Sequence, residues 1–499
     1  MSTDSLTLAD VIEGLAGVRP EGLAIGRQPI SSTVIDSRKA EPGALFVALK
    51  GERDDGHDYV TDAFSRGAVA AIVERDVGAE ALTLDLTGPT PNLQLETLDD
   101  QLPLVLKTAD ALQVLQQAAT FWRQQHPALR VIGITGSVGK TTTKELAAAV
   151  LGRRYVTLKS EASFNNEIGL PLALMHLTGQ HERAVLEMGM YDVGEISDLA
   201  RIARPHVGVV TIIGPVHLER AGTFERIVEA KTELVKALPP APKGVAILNY
   251  DDENVRGMSE ATQARVFYYG LSPKADLWAD HIEGLGLEGI RFQLHHRLPF
   301  VSPIGGERGG ETLHVKIPLL GRHSVHTALR AAAVGLVEGL TWQEIIEGLR
   351  GVEPSAQLRL VAVSGPEGAT ILDDTYNASP ASTLAALNLL DELDGRKIAV
   401  LGDMLELGAY ECEGHEKVGM RVLEVADVLI TVGRLGRIIG ETALRWGMSD
   451  EQVHIVEENA QAIALLKQMV AGNDVVLIKG SRGMAMEEIV TALSSMGSG

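Results

Sequence analysis

Between Gly133 and Thr143 the chain reads Gly-Ile-Thr-Gly-Ser-Val-Gly-Lys-Thr-Thr-Thr, directly after the apolar run Leu129-Arg130-Val131-Ile132 and before the helical pattern Lys144 to Leu151. Glycines let a backbone fold round an anion, and a helix start aims free N–H groups at it. A lysine such as Lys140 neutralises phosphate charge, and a hydroxyl such as Thr141 can hold Mg²⁺. The stretch therefore reads as a phosphate-binding loop between strand and helix. The strict G-x-x-x-x-G-K-[ST] spacing fails at one place, because Ile134 stands where its first glycine would be. Glu187 ends the apolar run Arg183-Ala-Val-Leu-Glu, where α/β sheets place ligand-binding groups, and is a candidate Mg²⁺ ligand. His217 follows the buried-strand pattern Val207 to Ile213, a position where a lone histidine is more often structural. Asn165 and Asn166 precede a helical pattern and can either cap it or touch a ligand. Asp36-Ser37-Arg38 ends a strand pattern and can bond a sugar or base, but also reads as a surface ion pair. Lys231 lies in a helical pattern, Ile227 to Val235, where its amine reads as solvated.

The elements that must position these groups fall into three blocks. At 499 residues the chain exceeds one ordinary domain, and the length suggests about three. Residues 1–107 combine an amphipathic stretch from Leu6 to Leu15 with two strands around the Pro42-Gly43 turn and a helix leading into the strand Ala68–Val73. An irregular, Pro-containing excursion from Gly88 to Pro103 precedes a helix from Ala109 to Trp122. Residues 108–353 hold the loop and its sheet, with a peripheral β excursion from Asp276 to Val315 that turns at the Gly-rich 305–310. Past the boundary at Pro354, residues 354–499 give strands at Ala369, Lys397, Val428 and Val475 separated by helical patterns, which predicts a Rossmann-like parallel sheet. No G-x-G-x-x-G marks a dinucleotide there.

A net charge of −21 argues against nucleic acid or an anionic membrane as the main partner, so any basic pocket is local. One cysteine, Cys412, excludes an internal disulfide and a cysteine-based metal site. With no basic region before an apolar core at the N-terminus and no apolar run of spanning length, a cytoplasmic location without membrane insertion is expected.

Gly133-Ile134-Thr135-Gly136 ahead of Gly139-Lys140-Thr141, Leu186-Glu-Met-Gly-Met190, Ile213-Gly-Pro-Val-His-Leu-Glu219, Gly402-Asp-Met-Leu-Glu-Leu-Gly408 and Lys479-Gly-Ser-Arg-Gly483 together resemble the Mur ligase family. The resemblance covers nearly the whole chain and accounts for the missing first glycine of the loop. It is strongest to the member that joins D-Ala-D-Ala to UDP-MurNAc-tripeptide; the diaminopimelate-adding member's Asp-Asn-Pro-Arg motif is absent. The resemblance implies a small α/β UDP-binding domain, a central P-loop ATPase-like domain and a C-terminal Rossmann-like domain, acting on ATP through an acyl phosphate. Gly136, Ser137, Val138, Gly139, Lys140, Thr141 and Thr142 would bind ATP. Thr141 and Glu187 would hold one Mg²⁺, and His217 with Lys231, as a CO₂-derived carbamate, a second. That replaces the solvated reading of Lys231. Arg359 and Asp374 would reach ATP when the last domain closes. Ser37 and Arg38 would bind the UDP end, and Asn165 or Asn166 the nucleotide or substrate. Tyr376, Asn377 and Ser379 would line the D-Ala-D-Ala side. After Gly321-Arg-His323 the family has two asparagines near adenine where this chain has Ser324 and Thr327. A monomer is the family default. Another amide ligase of the group, or a nucleotide switch without ligation, are the rival readings.

Overall fold

The computed structural model describes residues 5–20, 25–51, 54–88, 103–161, 164–215, 218–297, 312–352 and 360–494. His217, Arg359, most of the excursion expected from Gly88 to Pro103 and the Gly-rich turn at 305–310 lie outside them. By contacts the chain divides into two compact units. The first comprises residues 1–133, 155–190 and 194–207, the second residues 134–154, 191–193 and 208–499. Among the described residues no helix is long and apolar enough to cross a membrane.

The first unit begins with a sheet of β1 (Thr33–Val34), β2 (Leu45–Val47), β3 (Ala70–Val73), β4 (Leu82–Asp85) and β5 (Leu104–Lys107), ordered β1-β2-β3-β5-β4 with every pairing parallel. β2 and β3 are buried along their whole length, as parallel strands covered on both faces must be. The Pro42-Gly43 turn does not make a hairpin. Residues 35–44, including a short 3₁₀ turn at Ser37–Lys39, carry the chain back so that Thr33 pairs with Leu45 in parallel. The helix Leu8–Ala16 starts in a Thr7/Asp10 capping box, and Ala111–Gln124 starts at Asp110, whose carboxylate accepts the Gln113 N–H.

The second sheet has nine strands, β6 (Arg130–Thr135), β7 (Thr157–Lys159), β8 (Arg183–Glu187), β9 (Val207–Val210), β10 (Val245–Asn249), β11 (Arg265–Gly270), β12 (Leu277–Gly284), β13 (Ile290–His296) and β14 (Leu313–Ile317). In the first unit β7 and β8 pair in parallel. In the second, β10, β11 and β12 are parallel neighbours, and β12, β13 and β14 continue as an antiparallel meander, the expected β excursion.

The third sheet, also in the second unit, contains β15 (Val361–Ser364), β16 (Thr370–Asp374), β17 (Arg396–Gly402), β18 (Val428–Val432), β19 (Val453–Val456) and β20 (Asp474–Lys479), ordered β15-β16-β20-β17-β18-β19. Its interior strands alternate cleanly. Leu372, Leu401, Leu429 and Leu477 enter one core with the helices Pro380–Glu392 and Glu411–Val425, whereas Ile371, Val400, Ile430 and Val476 enter another with Asn459–Met469 and Glu487–Ser494. The four interior strands are those the sequence predicts. The two edge strands β15, which runs antiparallel to β16, and β19 are additional.

Candidate active site

The loop after β6 is shaped by two glycines in the left-handed half of backbone space, Gly136 at φ +143° and Gly139 at φ +85°. A Cβ at Gly136 would overlap the Thr211 hydroxyl, so position 136 demands glycine for both conformation and space. The loop is held from the strand side. Ser137 N–H donates to Ile212 O at 2.7 Å, Gly214 N–H donates to Ser137 Oγ at 2.9 Å, and Thr211 Oγ1 donates to Val138 O at 2.7 Å. Gly139 caps the helix Lys140–Leu151 without a side-chain cap hydrogen bond. Lys140 curls over the loop and donates from Nζ to Gly136 O at 2.8 Å and to Ser137 O at 3.4 Å. Thr141 is buried beside it, and Thr142 is half-buried. A helix N-terminus, a cation and a wall only glycine allows are what a polyphosphate requires. The Ser137 side chain, engaged with Gly214, serves the loop's shape.

In the first unit, Glu187 ends β8 fully buried and accepts a hydrogen bond from Asn165 Nδ2 at 2.9 Å, while its own N–H donates to Ser160 Oγ at 3.4 Å. Asn166 does something different. Its Oδ1 accepts, at 2.9 Å, the N–H of Gly169, the first residue of the helix Gly169–Met175, whose own N-cap residue Ile168 makes no side-chain cap. The two asparagines thus have different partners, a buried carboxylate for Asn165 and a helix-start N–H for Asn166. Asn165→Ala is expected to lower activity with little change in melting temperature. Asn166→Ala is expected to remove about 1 kcal/mol of stability with activity largely kept, the scale of one lost hydrogen bond to a helix-start N–H. Parallel thermal denaturation and initial rates check both, and the reverse pattern would overturn the division.

The solvated reading of Lys231 is contradicted. The helix Phe224–Lys236 buries Ile227, Ala230, Lys231, Leu234 and Val235, an i, i+3, i+4, i+7, i+8 stripe in which the lysine takes a core position. The side chain is 2% exposed and makes no hydrogen bond or ion pair among the described residues. Its amine is held well below the ordinary lysine range, first by desolvation and then by the charge of Lys140. The stripe was visible in the spacing of its neighbours.

Several groups around the loop had no sequence signal. Asp252 accepts the Ile213 N–H at 2.8 Å and caps the helix Glu253–Gly257, which ties the segment after β9 to the end of β10. Tyr269 Oη donates to Thr211 O at 2.8 Å. Buried Arg330 binds Thr143 and Thr327. The hydroxyls of Ser324 and Thr327 are both engaged: Ser324 Oγ donates to Leu320 O at 2.7 Å, and Thr327 Oγ1 accepts from Arg330 at 2.7 Å.

In the third sheet Asp374 ends β16 and accepts Lys479 Nζ at 2.6 Å, and the same buried ammonium donates to Asn377 O at 2.9 Å. Asn377 Oδ1 accepts the Ala378 N–H. Ser379 forms a capping box with Ser382 at the start of the helix Pro380–Glu392. The Arg482 guanidinium lies over the Tyr376 ring, 5.4 Å from its centroid. Asp403, in one of the sequence blocks, is structural here: its carboxylate accepts the N–H groups of Leu435 and Gly436 at the start of the helix Gly436–Arg445. In the first sheet Arg38 pairs with Asp36 at 2.8 Å, and Ser37 is buried beneath them. The structure thus gathers the loop, Lys140 and Lys231 in one unit and the Glu187–Asn165 pair in the other; His217 and Arg359 are outside the described residues.

Residues 134–335 match the Mur ligase middle domain, 358–482 the Mur ligase, glutamate ligase domain, and 29–119 the Mur ligase family, catalytic domain. The chain is 36% identical to the UDP-N-acetylmuramoyl-tripeptide–D-alanyl-D-alanine ligase of Bacillus subtilis, over 93% of each chain, and 34% identical to that of Escherichia coli, over 94% of each. Its structure is similar to a crystal structure of MurF from Acinetobacter baumannii, with a TM-score of 0.79 at 29% identity over 99% of this chain and 100% of that one. It is also similar to MurF from Thermotoga maritima in complex with ADP, with a TM-score of 0.73 at 26% identity over 94% of this chain and 98% of that one. By matched domains, full-length relatives and fold, the chain belongs to the Mur ligase family.

Proposed function

We propose that this chain joins D-Ala-D-Ala to UDP-MurNAc-tripeptide, consuming ATP and releasing ADP and phosphate. The observation that carries the reading is the pairing of a phosphate-loop lysine, Lys140, with a second, desolvated lysine, Lys231, whose neutral form is favoured by burial and by Lys140 itself. A protein that only binds nucleotide has no use for such a group. The relatives named above support the substrates, and the ADP complex of a structural neighbour supports the nucleotide.

The chemistry follows from leaving-group ability. A carboxylate oxygen does not leave, so the terminal carboxylate of the tripeptide takes the γ-phosphoryl group of ATP. The D-Ala-D-Ala amine attacks the acyl carbon, and phosphate departs as the amide forms. Loop N–H groups from Gly136 to Thr142 and the Lys140 ammonium would hold the β- and γ-phosphates. Thr141 and Glu187 would hold Mg²⁺, which spreads the charge of the transferring group; a buried carboxylate steadied by Asn165 fits that cation. A cationic lysine cannot ligate a metal. The neutral Lys231 amine can add to CO₂ and lose a proton, giving a carboxylate-like carbamate that with His217 suits a second Mg²⁺. Arg359 and Asp374 would meet ATP as the last domain closes, Asp374 sharing or leaving Lys479 to do so. Tyr376, Asn377 and Ser379 would face D-Ala-D-Ala, and Ser37 with Arg38 the UDP group. Closure keeps water from the acyl phosphate. The working unit is a monomer in a cytoplasmic setting.

The test is phosphate release from ATP and Mg²⁺ with two substrate pairs in parallel. Release that depends on UDP-MurNAc-tripeptide together with D-Ala-D-Ala, with a pentapeptide product, is expected. Release only with UDP-MurNAc-dipeptide and a third-position amino acid would move the chain to the diaminopimelate-adding type. Nucleotide binding without release in either would sink the ligase reading.

A further inference from the structure

Arg330 lies in the Ala-rich helix Ser324–Val337, only 4% exposed. Its Nε donates to Thr143 Oγ1 at 2.8 Å, its Nη2 to Thr327 Oγ1 at 2.7 Å, and its Nη1 reaches Tyr269 Oη at 3.5 Å. All three acceptors are neutral hydroxyls. Among the described residues no carboxylate lies within ion-pair distance of the guanidinium. Burying a charge without a counter-charge is strongly unfavourable, and it is sustained where something supplies the opposite sign.

The place of this charge says what supplies it. Arg330 Nη2 is 2.8 Å from where a Cβ on Gly139 would sit, and Gly139 is the cap of the phosphate-loop helix. Thr143, which Arg330 holds, donates its hydroxyl back to Gly139 O at 2.6 Å. The guanidinium therefore lies against the cap of the phosphate-loop helix, the end at which an anion would bind. The surrounding groups register the field: burial and then the Arg330 charge push His326 down to about 4. We infer that Arg330 is a positioning residue of the nucleotide site, fixing Gly139 and Thr143 and presenting a buried positive charge that the polyphosphate of bound nucleotide compensates without touching it. This rests on the ATP-dependent reading above.

The inference separates from an ordinary structural role by a sign. A merely structural arginine stabilises the protein without ligand. An uncompensated one costs stability until the anion arrives. The experiment compares full-length wild type, Arg330→Gln and Arg330→Lys by thermal unfolding without nucleotide, by calorimetric binding of Mg²⁺-ADP, and by steady-state rates. Arg330→Gln, which keeps a donor but loses the charge, is expected to melt at or above wild type without ligand. It should bind ADP roughly tenfold more weakly, the scale of one charge a few ångströms away in a partly screened site. KM for ATP should rise more than kcat falls. Arg330→Lys should recover a large part of the ADP affinity. Equal ADP affinity in the Gln variant and wild type overturns the inference, as does a Gln variant that is destabilised or unfolded without ligand while the Lys variant gains nothing in binding. A wild-type protein that binds no ADP would instead defeat the ligase reading itself, and with it this role for Arg330.

Discussion

Lys231→Ala is expected to lower D-Ala-D-Ala-dependent phosphate release by roughly a thousandfold, because with Lys231 carbamylated as proposed its loss would remove one anionic metal ligand and several kcal/mol of charge stabilisation, at about 1.4 kcal/mol per factor of ten. Formate in the assay should restore part of the rate to the Ala variant, since a small carboxylate can enter the space that the carbamate would fill. Lys231→Met fills that space with an apolar chain and should show no rescue. Equal rescue of both variants, or a Lys231→Ala enzyme with near wild-type rates, would remove Lys231 from the chemistry.

The same lysine makes a separate thermodynamic prediction. Its folded-state pKa lies well below 10.5, so between those two values the unfolded chain binds a proton that the folded chain does not. The stability associated with Lys231 is therefore fully present above pH 10.5 and is lost as pH falls toward the lower folded-state value. In CO₂-depleted buffer, Lys231→Met should melt at or above wild type at neutral pH, and the gap should close as pH rises toward 10.5. Thermal unfolding across that range checks it; a gap that widens with pH would mean that the amine is charged in the folded protein.

How much of this was legible before the structure depends on where each signal lies. The loop could be read because glycine, lysine and hydroxyl occur in chain order at one strand–helix junction, and the structure gives the two glycines the conformations that only they adopt freely. The four interior strands of the last sheet could be read because burial on both faces makes them continuous apolar runs. Edge strands β15 and β19 could not, since the exposed Ser364 and the half-buried His454 break the apolar pattern. Asn165 and Asn166 are chemically identical neighbours, and only the turn of the chain sends one to a carboxylate and the other to a helix end. Arg330 was hidden for the opposite reason. In an alanine-rich helix one arginine reads as a solvated end, and nothing local reports that Thr143, 187 positions earlier, lies against it.

Lys140→Met is expected to reduce phosphate release about a hundredfold to a thousandfold, the range for removing one preorganised donor aimed at charge that builds during transfer. The ammonium donates to the carbonyls of Gly136 and Ser137, neutral acceptors that a phosphate oxygen replaces with a stronger, charge-assisted bond. Lys140→Arg should not restore the rate, because a rigid planar fork cannot follow the curl of a point charge over a narrow loop. A second consequence ties the two lysines together. Lys140 is one of the two causes that depress the Lys231 amine, so removing its charge lets Lys231 hold its proton more firmly and compete less well for CO₂. Raising the pH or the bicarbonate concentration should then recover a larger fraction of activity in Lys140→Met than in wild type, and the losses from Lys140→Met and Lys231→Ala should fall short of additive in the double variant. Strict additivity, with no difference in bicarbonate response, would show that the two amines act independently and that their proximity is incidental to catalysis.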